Sequence, residues 1–154
     1  MTPLDDLAPM LNQQRDGWNT AMDVRFVRAT ADEVIAEWTV GGVHRQAYGI
    51  VHGGVHCGVI ETLASIGAAV VAMSRGQTVV GLENHTSFIR AVREGKLRAT
   101  AKPLTRGRRT QVWEGVIVDE QGRTVATGRV RLLCLDAETE LAGETVQMKP
   151  KAEG

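Results

Sequence analysis

Gly53-Gly54-Val55-His56-Cys57-Gly58-Val59-Ile60-Glu61-Thr62-Leu63-Ala64-Ser65-Ile66-Gly67-Ala68-Ala69-Val70-Val71-Ala72-Met73-Ser74 is a run of small and apolar residues carrying a single acid, Glu61. It is too long and too free of breakers for a strand, and its apolar residues recur nearly all round a helical wheel. The composition predicts one long helix buried on most faces. A glycine pair at its start, after Tyr48-Gly49-Ile50-Val51-His52, leaves backbone N–H groups bare where the helix dipole favours negative charge. Such amides suit an oxygen acquiring charge, and a lone carboxylate on the same helix suits a base or nucleophile. The two features read as the electrophilic and basic halves of an acyl-transfer site.

Outward from this helix the pattern changes to period two. Leu4 to Gln14 carries Leu4, Leu7, Ala8 and Leu11 at helical spacing and predicts a short amphipathic cover. Ala21 to Val27 and Glu33 to Val40 predict a strand pair turning near Thr30-Asp32 and closed by Gly41-Gly42, and Val43 to His52 predicts a loop. After Arg75-Gly76-Gln77, four β segments are expected over Thr78–Ile89, Lys96–Thr105, Thr110–Val118 and Arg123–Leu135. Glycine turns at Glu94-Gly95, Arg106-Gly107 and Asp119-Glu120-Gln121-Gly122 predict an antiparallel meander. One apolar helix followed by a long antiparallel sheet predicts an α+β domain whose sheet wraps the helix. The organisation expected is an N-terminal cover over 1–20, the main domain over 21–135 and a polar, aperiodic tail over 136–154, much of it mobile.

A chain of 154 residues suits one domain with a real core. Lys+Arg 18 against Asp+Glu 18 gives zero formal charge, and only 4% of residues are aromatic, so neither nucleic acid nor an anionic membrane is an expected partner. Cys57 and Cys134 make no disulfide framework and suit a reducing compartment. The start Met1-Thr2-Pro3-Leu4-Asp5-Asp6 lacks a signal-peptide pattern, and no segment is expected to approach the roughly 20 apolar residues of a membrane span. The expectation is a cytoplasmic protein.

His52-Gly53-Gly54, then Glu61 on a small-residue helix, then Asn84, Phe88 and Arg90, then Glu94-Gly95-Lys96-Leu97, together resemble the hotdog-fold acyl-CoA thioesterases. Within them the pattern is most similar to the phenylacetate-pathway and Arthrobacter-type 4-hydroxybenzoyl-CoA thioesterase branch. The resemblance runs from about Met22 to Leu135. It departs from many relatives at His56 and Cys57, where small or apolar residues are usual, and at Ala91, where proline often follows the arginine. It implies a hotdog fold, hydrolysis of an acyl- or aroyl-CoA to free acid and coenzyme A, no separate cofactor, and a homodimer that pairs into a tetramer.

The resemblance further implies that the Gly53 N–H polarises the thioester carbonyl, with the Gln46 amide assisting. Glu61 would attack the carbonyl or activate water, Ser65 would hydrogen-bond Glu61 or that water, and His52 would shape the loop. Gly54 and Cys57 would line the acyl pocket, and Arg90, Arg106, Arg108 and Arg109 would meet coenzyme A phosphates, although a solvated rim is the simpler reading of each arginine. Tyr48, Ile50, Ile60 and Phe88 are further pocket candidates. An acid enclosed by apolar groups is expected at Glu61, which suits it as a base. His52, His56 and Cys57 do not converge at helical spacing as zinc ligands should, so no metal is expected.

Gly53 and Glu61 are eight positions apart, a rise of about 12 Å along a helix, too far to meet one carbonyl. Two helices antiparallel across a two-fold would bring Gly53 of one protomer to Glu61 of the other. The competing class is a module of the same fold that binds acyl-CoA or acyl carrier protein without turnover. A dehydratase is disfavoured because no Asp and His pair is recognisable.

Overall fold

The computed structural model describes residues 6–15 and 17–146. Leu4, the expected start of the first helix, the N-terminal start and the tail beyond 146 lie outside the described residues. The elements are α1 (Ala8–Gln13), α2 (Gly17–Ala21), β1 (Arg25–Ala29), β2 (Val34–Thr39), α3 (Gly53–Met73), β3 (Gln77–Phe88), β4 (Lys96–Arg106), β5 (Thr110–Val118), β6 (Thr124–Asp136), β7 (Glu140–Leu141) and β8 (Glu144–Thr145). Six strands form one antiparallel sheet in the order β1-β2-β4-β5-β6-β3, and α3 packs on β2 through β6. This is the sheet packed around one apolar helix expected from the composition, and the hotdog arrangement that the resemblance implies.

The face of the sheet toward α3 is apolar at every second residue. In β5, Gln111, Trp113, Gly115 and Ile117 are buried while the residues between them are half-exposed. Close contact depends on small residues at the crossings. A Cβ on Gly67 would stand 2.3 Å from Trp113 Cη2, and one on Gly115 would stand 2.9 Å from Ile60 Cγ2. The buried Gln111 carboxamide donates to the Ala68 carbonyl at 3.0 Å and accepts from Trp113 Nε1 at 3.0 Å, so strand and helix are joined by satisfied polar groups as well as packing.

Three expectations are corrected. The meander is broken, because β3 pairs with β6 (Gln77↔Asp136 to Phe88↔Ala126) and residues 89–95 cross to β4, which pairs with β2. Leu97, Ala99 and Ala101 of β4 are buried and need a central position, whereas β3 has no fully buried residue and lies at an edge. The strand expected from Ala21 starts at Arg25, since the Trp18 and Asn19 carbonyls accept from Met22 and Val24 N–H groups and close a helical turn there. The described part of the tail, expected to be aperiodic, contains the β7–β8 pair. In addition, α3 is long and apolar enough to cross a membrane by length and composition, contrary to expectation, yet it is enclosed by the sheet as a core helix.

The two sheet edges differ. At β1, Asn12 donates to the Phe26 carbonyl at 2.8 Å and accepts from its N–H at 2.9 Å, and Asp6 Oδ1 accepts from the Ala29 N–H at 2.7 Å. The N-terminal segment thereby covers that edge. Among the described residues β3 pairs on one side only, leaving the edge of a 12-residue strand open.

Candidate functional site

The loop before α3 is a built structure. Arg45 and Val51 pair across it, the Gln46 N–H donates to the Ile50 carbonyl at 2.9 Å, and Gly49 sits at φ +73°, a conformation that favours glycine. The Gln46 side-chain oxygen accepts from the Tyr48 N–H. Its carbonyl end is therefore committed to the loop, and its NH2 end has no acceptor among the described residues. Arg93 Nη1 donates to the Tyr48 carbonyl at 2.6 Å and the Val51 N–H to the Val92 carbonyl at 2.9 Å, so the crossover after β3 holds the loop in place.

His44, not singled out in the sequence, anchors the loop's base. Its Nδ1 accepts from the Gly41 N–H at 2.9 Å and its Nε2 lies 2.8 Å from the Met22 carbonyl, which fixes a neutral ring with the proton on Nε2. Its carbonyl accepts from the His52 N–H at 2.8 Å. A lone histidine in a loop gives no sequence signal for such a role.

His52 is the N-cap of α3, its Nδ1 accepting from the Gly54 N–H at 2.8 Å. The Gly54 amide is thus occupied, while the Gly53 amide at the first helical position has no acceptor among the described residues. The space over Gly53 is filled by Phe88: a Cβ there would stand 2.6 Å from Phe88 Cζ. Behind it lies His56, 3% exposed, with its ring 6.3 Å from that of Phe88 and its Nδ1 unpartnered. Burial pushes the His56 pKa down from 6.5 to about 4.

Glu61 is exposed on α3, on the helical stripe it shares with Gly54, Gly58 and Ser65, beside edge strand β3. Its exposure in the single chain corrects the expectation of an acid enclosed by apolar groups. Its Oε1 is 3.7 Å from where a Gly81 Cβ would stand, so glycine on β3 leaves the carboxylate room. The direct Ser65–Glu61 hydrogen bond is not formed, but both residues line a cleft of about 620 Å³. Its opposite wall includes Leu11, Trp18 and Phe26.

Other candidates are dispersed. Cys57 is half-buried and is not part of the cleft wall, its carbonyl accepting from Asn84 Nδ2 at 2.9 Å. Ile60 is fully buried against β5 and does not line the cleft; Tyr48 is 80% exposed. Arg106 is held by Asp32 Oδ1 at 2.8 Å and the Ala31 carbonyl at 3.1 Å. Arg108 and Arg109 are exposed at the same sheet end, whereas Arg90 lies past the far end of β3, its N–H on the Val125 carbonyl. At about 3.3 Å per residue those ends are roughly 36 Å apart, so one chain does not gather the four arginines expected to act together.

With this geometry in view, residues 48–126, from the site loop through α3 into β6, match the family model described as thioesterase superfamily. The chain belongs to the thioesterase superfamily. It is 38% identical over 109 residues to the proofreading thioesterase EntH of Cronobacter turicensis, covering 71% of this chain and 79% of that one. It is 36% identical over 109 residues to the 1,4-dihydroxy-2-naphthoyl-CoA hydrolase of Escherichia coli, with the same coverage of 71% and 79%. Among solved structures, the Rv1847 protein of Mycobacterium tuberculosis superposes with a TM-score of 0.77 at 39% identity over 79% of this chain and 98% of that one. As a member of this superfamily the chain is a thioester hydrolase.

Proposed function

We propose that the substrate is an acyl-CoA and that two protomers share each reaction centre. The observation that carries this is the unoccupied Gly53 amide at one end of a stripe whose carboxylate, Glu61, stands about 12 Å further along the same unbroken helix. One helix cannot bring both to one carbonyl. The midpoint between them is Cys57, whose carbonyl holds Asn84 of β3. A two-fold axis close to Asn84 would pair the open β3 edges antiparallel, continue the sheet and set Gly53 of one protomer against Glu61 of the other. The same axis would bring Arg90 level with Thr78 of the partner subunit, beside the turn that carries Arg108 and Arg109. The dispersed cations would then meet in the dimer, where exposed guanidinium groups suit coenzyme A phosphates.

In this site the thioester carbonyl accepts from the Gly53 N–H and the Gln46 NH2. Glu61 either takes a proton from water as the hydroxide adds to the carbonyl carbon, or adds to that carbon itself to give an anhydride that water then opens. Both routes cleave the C–S bond, release the thiolate of coenzyme A and use the same residues. Ser65, one turn on, is placed to hold the water. No metal is needed for the proton and electron balance.

The test is thiol release from a panel of acyl-CoAs by wild type, Glu61→Ala and Glu61→Gln. Wild type should release thiol, and both variants should lose about 10²- to 10⁴-fold in kcat. Equal turnover by all three would remove Glu61 from the mechanism. Binding without release by wild type would favour a non-catalytic acyl-CoA module.

A further inference from the structure

One wall of the cleft beside Glu61 comes from residues that precede the family match. The family match begins at residue 48, but α1, α2 and β1 supply Leu11, Trp18 and Phe26 to the cleft, opposite Gly58, Glu61 and Ser65 of α3. Trp18 packs directly on the helix: a Cβ on Gly58 would stand 2.4 Å from its Cζ2, so the indole touches α3 where only glycine admits it. Gly58 is three residues before Glu61, a same-face neighbour about 5–6 Å away between Cβ positions. Trp18 is 39% exposed, whereas Trp38 and Trp113 are 2% and 0% exposed.

From these contacts we infer that Trp18 determines acyl specificity, its indole forming the wall against which a ring-bearing acyl group packs. This rests on the reaction centre proposed at Glu61. A carbonyl carbon within about 3 to 3.5 Å of that carboxylate leaves an acetyl methyl short of the indole. A ring one or two bonds further on spans the helical turn and reaches it, at the separation where aromatic rings attract edge-on or offset. Leu11, Phe26 and Ile66 make the remaining surface apolar, and a cleft of about 620 Å³ has room for a ring with its linker.

The experiment compares kcat/KM for benzoyl-CoA and phenylacetyl-CoA with that for acetyl-CoA. Trp18→Ala should lower the ratio of ring substrate to acetyl-CoA about tenfold, and Trp18→Phe should retain most of it. Gly58→Ala, which leaves Trp18 intact but displaces its indole, should mimic Trp18→Ala. In the Glu61→Gln protein, benzoyl-CoA should quench the fluorescence of the exposed indole, and Trp18→Phe should abolish that quench. A ratio unchanged in Trp18→Ala, or a quench that persists in Trp18→Phe, overturns the assignment while leaving hydrolysis at Glu61 intact. If wild type releases no thiol from any acyl-CoA the reaction proposed above fails instead, and the quench still decides whether Trp18 contacts the ring.

Discussion

His52 Nδ1 accepts the Gly54 N–H at 2.8 Å, and this single bond determines which amide at the start of α3 stays free. With Gly54 satisfied, the dipole end of the helix presents the Gly53 N–H. His52→Ala should cost about 1 kcal/mol of stability, the usual size of a lost N-cap, and His52→Asn should restore most of it. Urea unfolding measures both. If Ala and Asn are equally stable, the cap contributes nothing.

Gly53 is at the first helical position, where proline is tolerated and lacks the N–H, and His52 at φ −65° and ψ 132° has the extended backbone that proline requires before it. Proline would meet the Phe88 ring, so the variant is made in a Phe88→Ala background. Gly53→Pro there should lower kcat about 10²-fold relative to Phe88→Ala, as loss of an oxyanion donor does. Co-assembled with Glu61→Ala, it should recover activity, because each mixed dimer then holds one intact centre. No recovery in isolated mixed dimers would place both groups within one chain's site.

Pairing of β3 about Asn84 fixes which residues cross-link. Glu83, His85 and Ser87 are exposed on the open edge strand. About that axis Glu83 faces His85 of the partner subunit and Ser87 lies about 20 Å along the strand from its own copy, so Glu83→Cys mixed with His85→Cys should form an intermolecular disulfide on mild oxidation and Ser87→Cys alone should not, since facing residues have Cα atoms about 4.5–5.5 Å apart. Gln77→Cys, at the far end, should not either. Non-reducing gels of the four variants read the result, and a maximum at Gln77 would move the axis.

His56 gives stability a pH signature. Burial lowers its folded pKa from 6.5 to about 4, so protons bind the unfolded chain more readily. The neutral ring's contribution is complete above about pH 6.5 and declines as pH falls toward about 4. His56→Leu should flatten the stability curve across that window, as chemical denaturation at pH 7, 5.5 and 4.5 would show.

Gly67 meets Trp113 too closely for any side chain, with both residues fully or nearly fully buried. Gly67→Ala should destabilise by about 1 to 3 kcal/mol through overpacking. Calorimetry should find a lower Tm, while KM stays near wild type because the contact is on the core face of α3.

Local chemistry made much of this legible. The start of α3 at Gly53, the extent of β5 and the acid on the helix follow from glycine spacing and period-two burial, signals that act within a few residues. The position of β3 did not follow. A glycine turn at Glu94-Gly95 looks like any hairpin, and only competition for the centre of the sheet, won by the buried Leu97, Ala99 and Ala101, sends β3 to the edge. Arg90 and Arg108 looked like one cluster because sequence gives no distance along a sheet.

By itself the sequence determined that α3 would be a core helix carrying one acid and bare amides at its head, because composition and helical periodicity are properties of the chain alone. The tertiary structure decided that, among the described residues, the Gly53 amide rather than that of Gly54 is free, that Glu61 is exposed beside edge strand β3, and that Trp18 walls the cleft next to it. Each of these depends on which distant groups compete for the same hydrogen bond or the same space, and that competition exists only once the chain has folded.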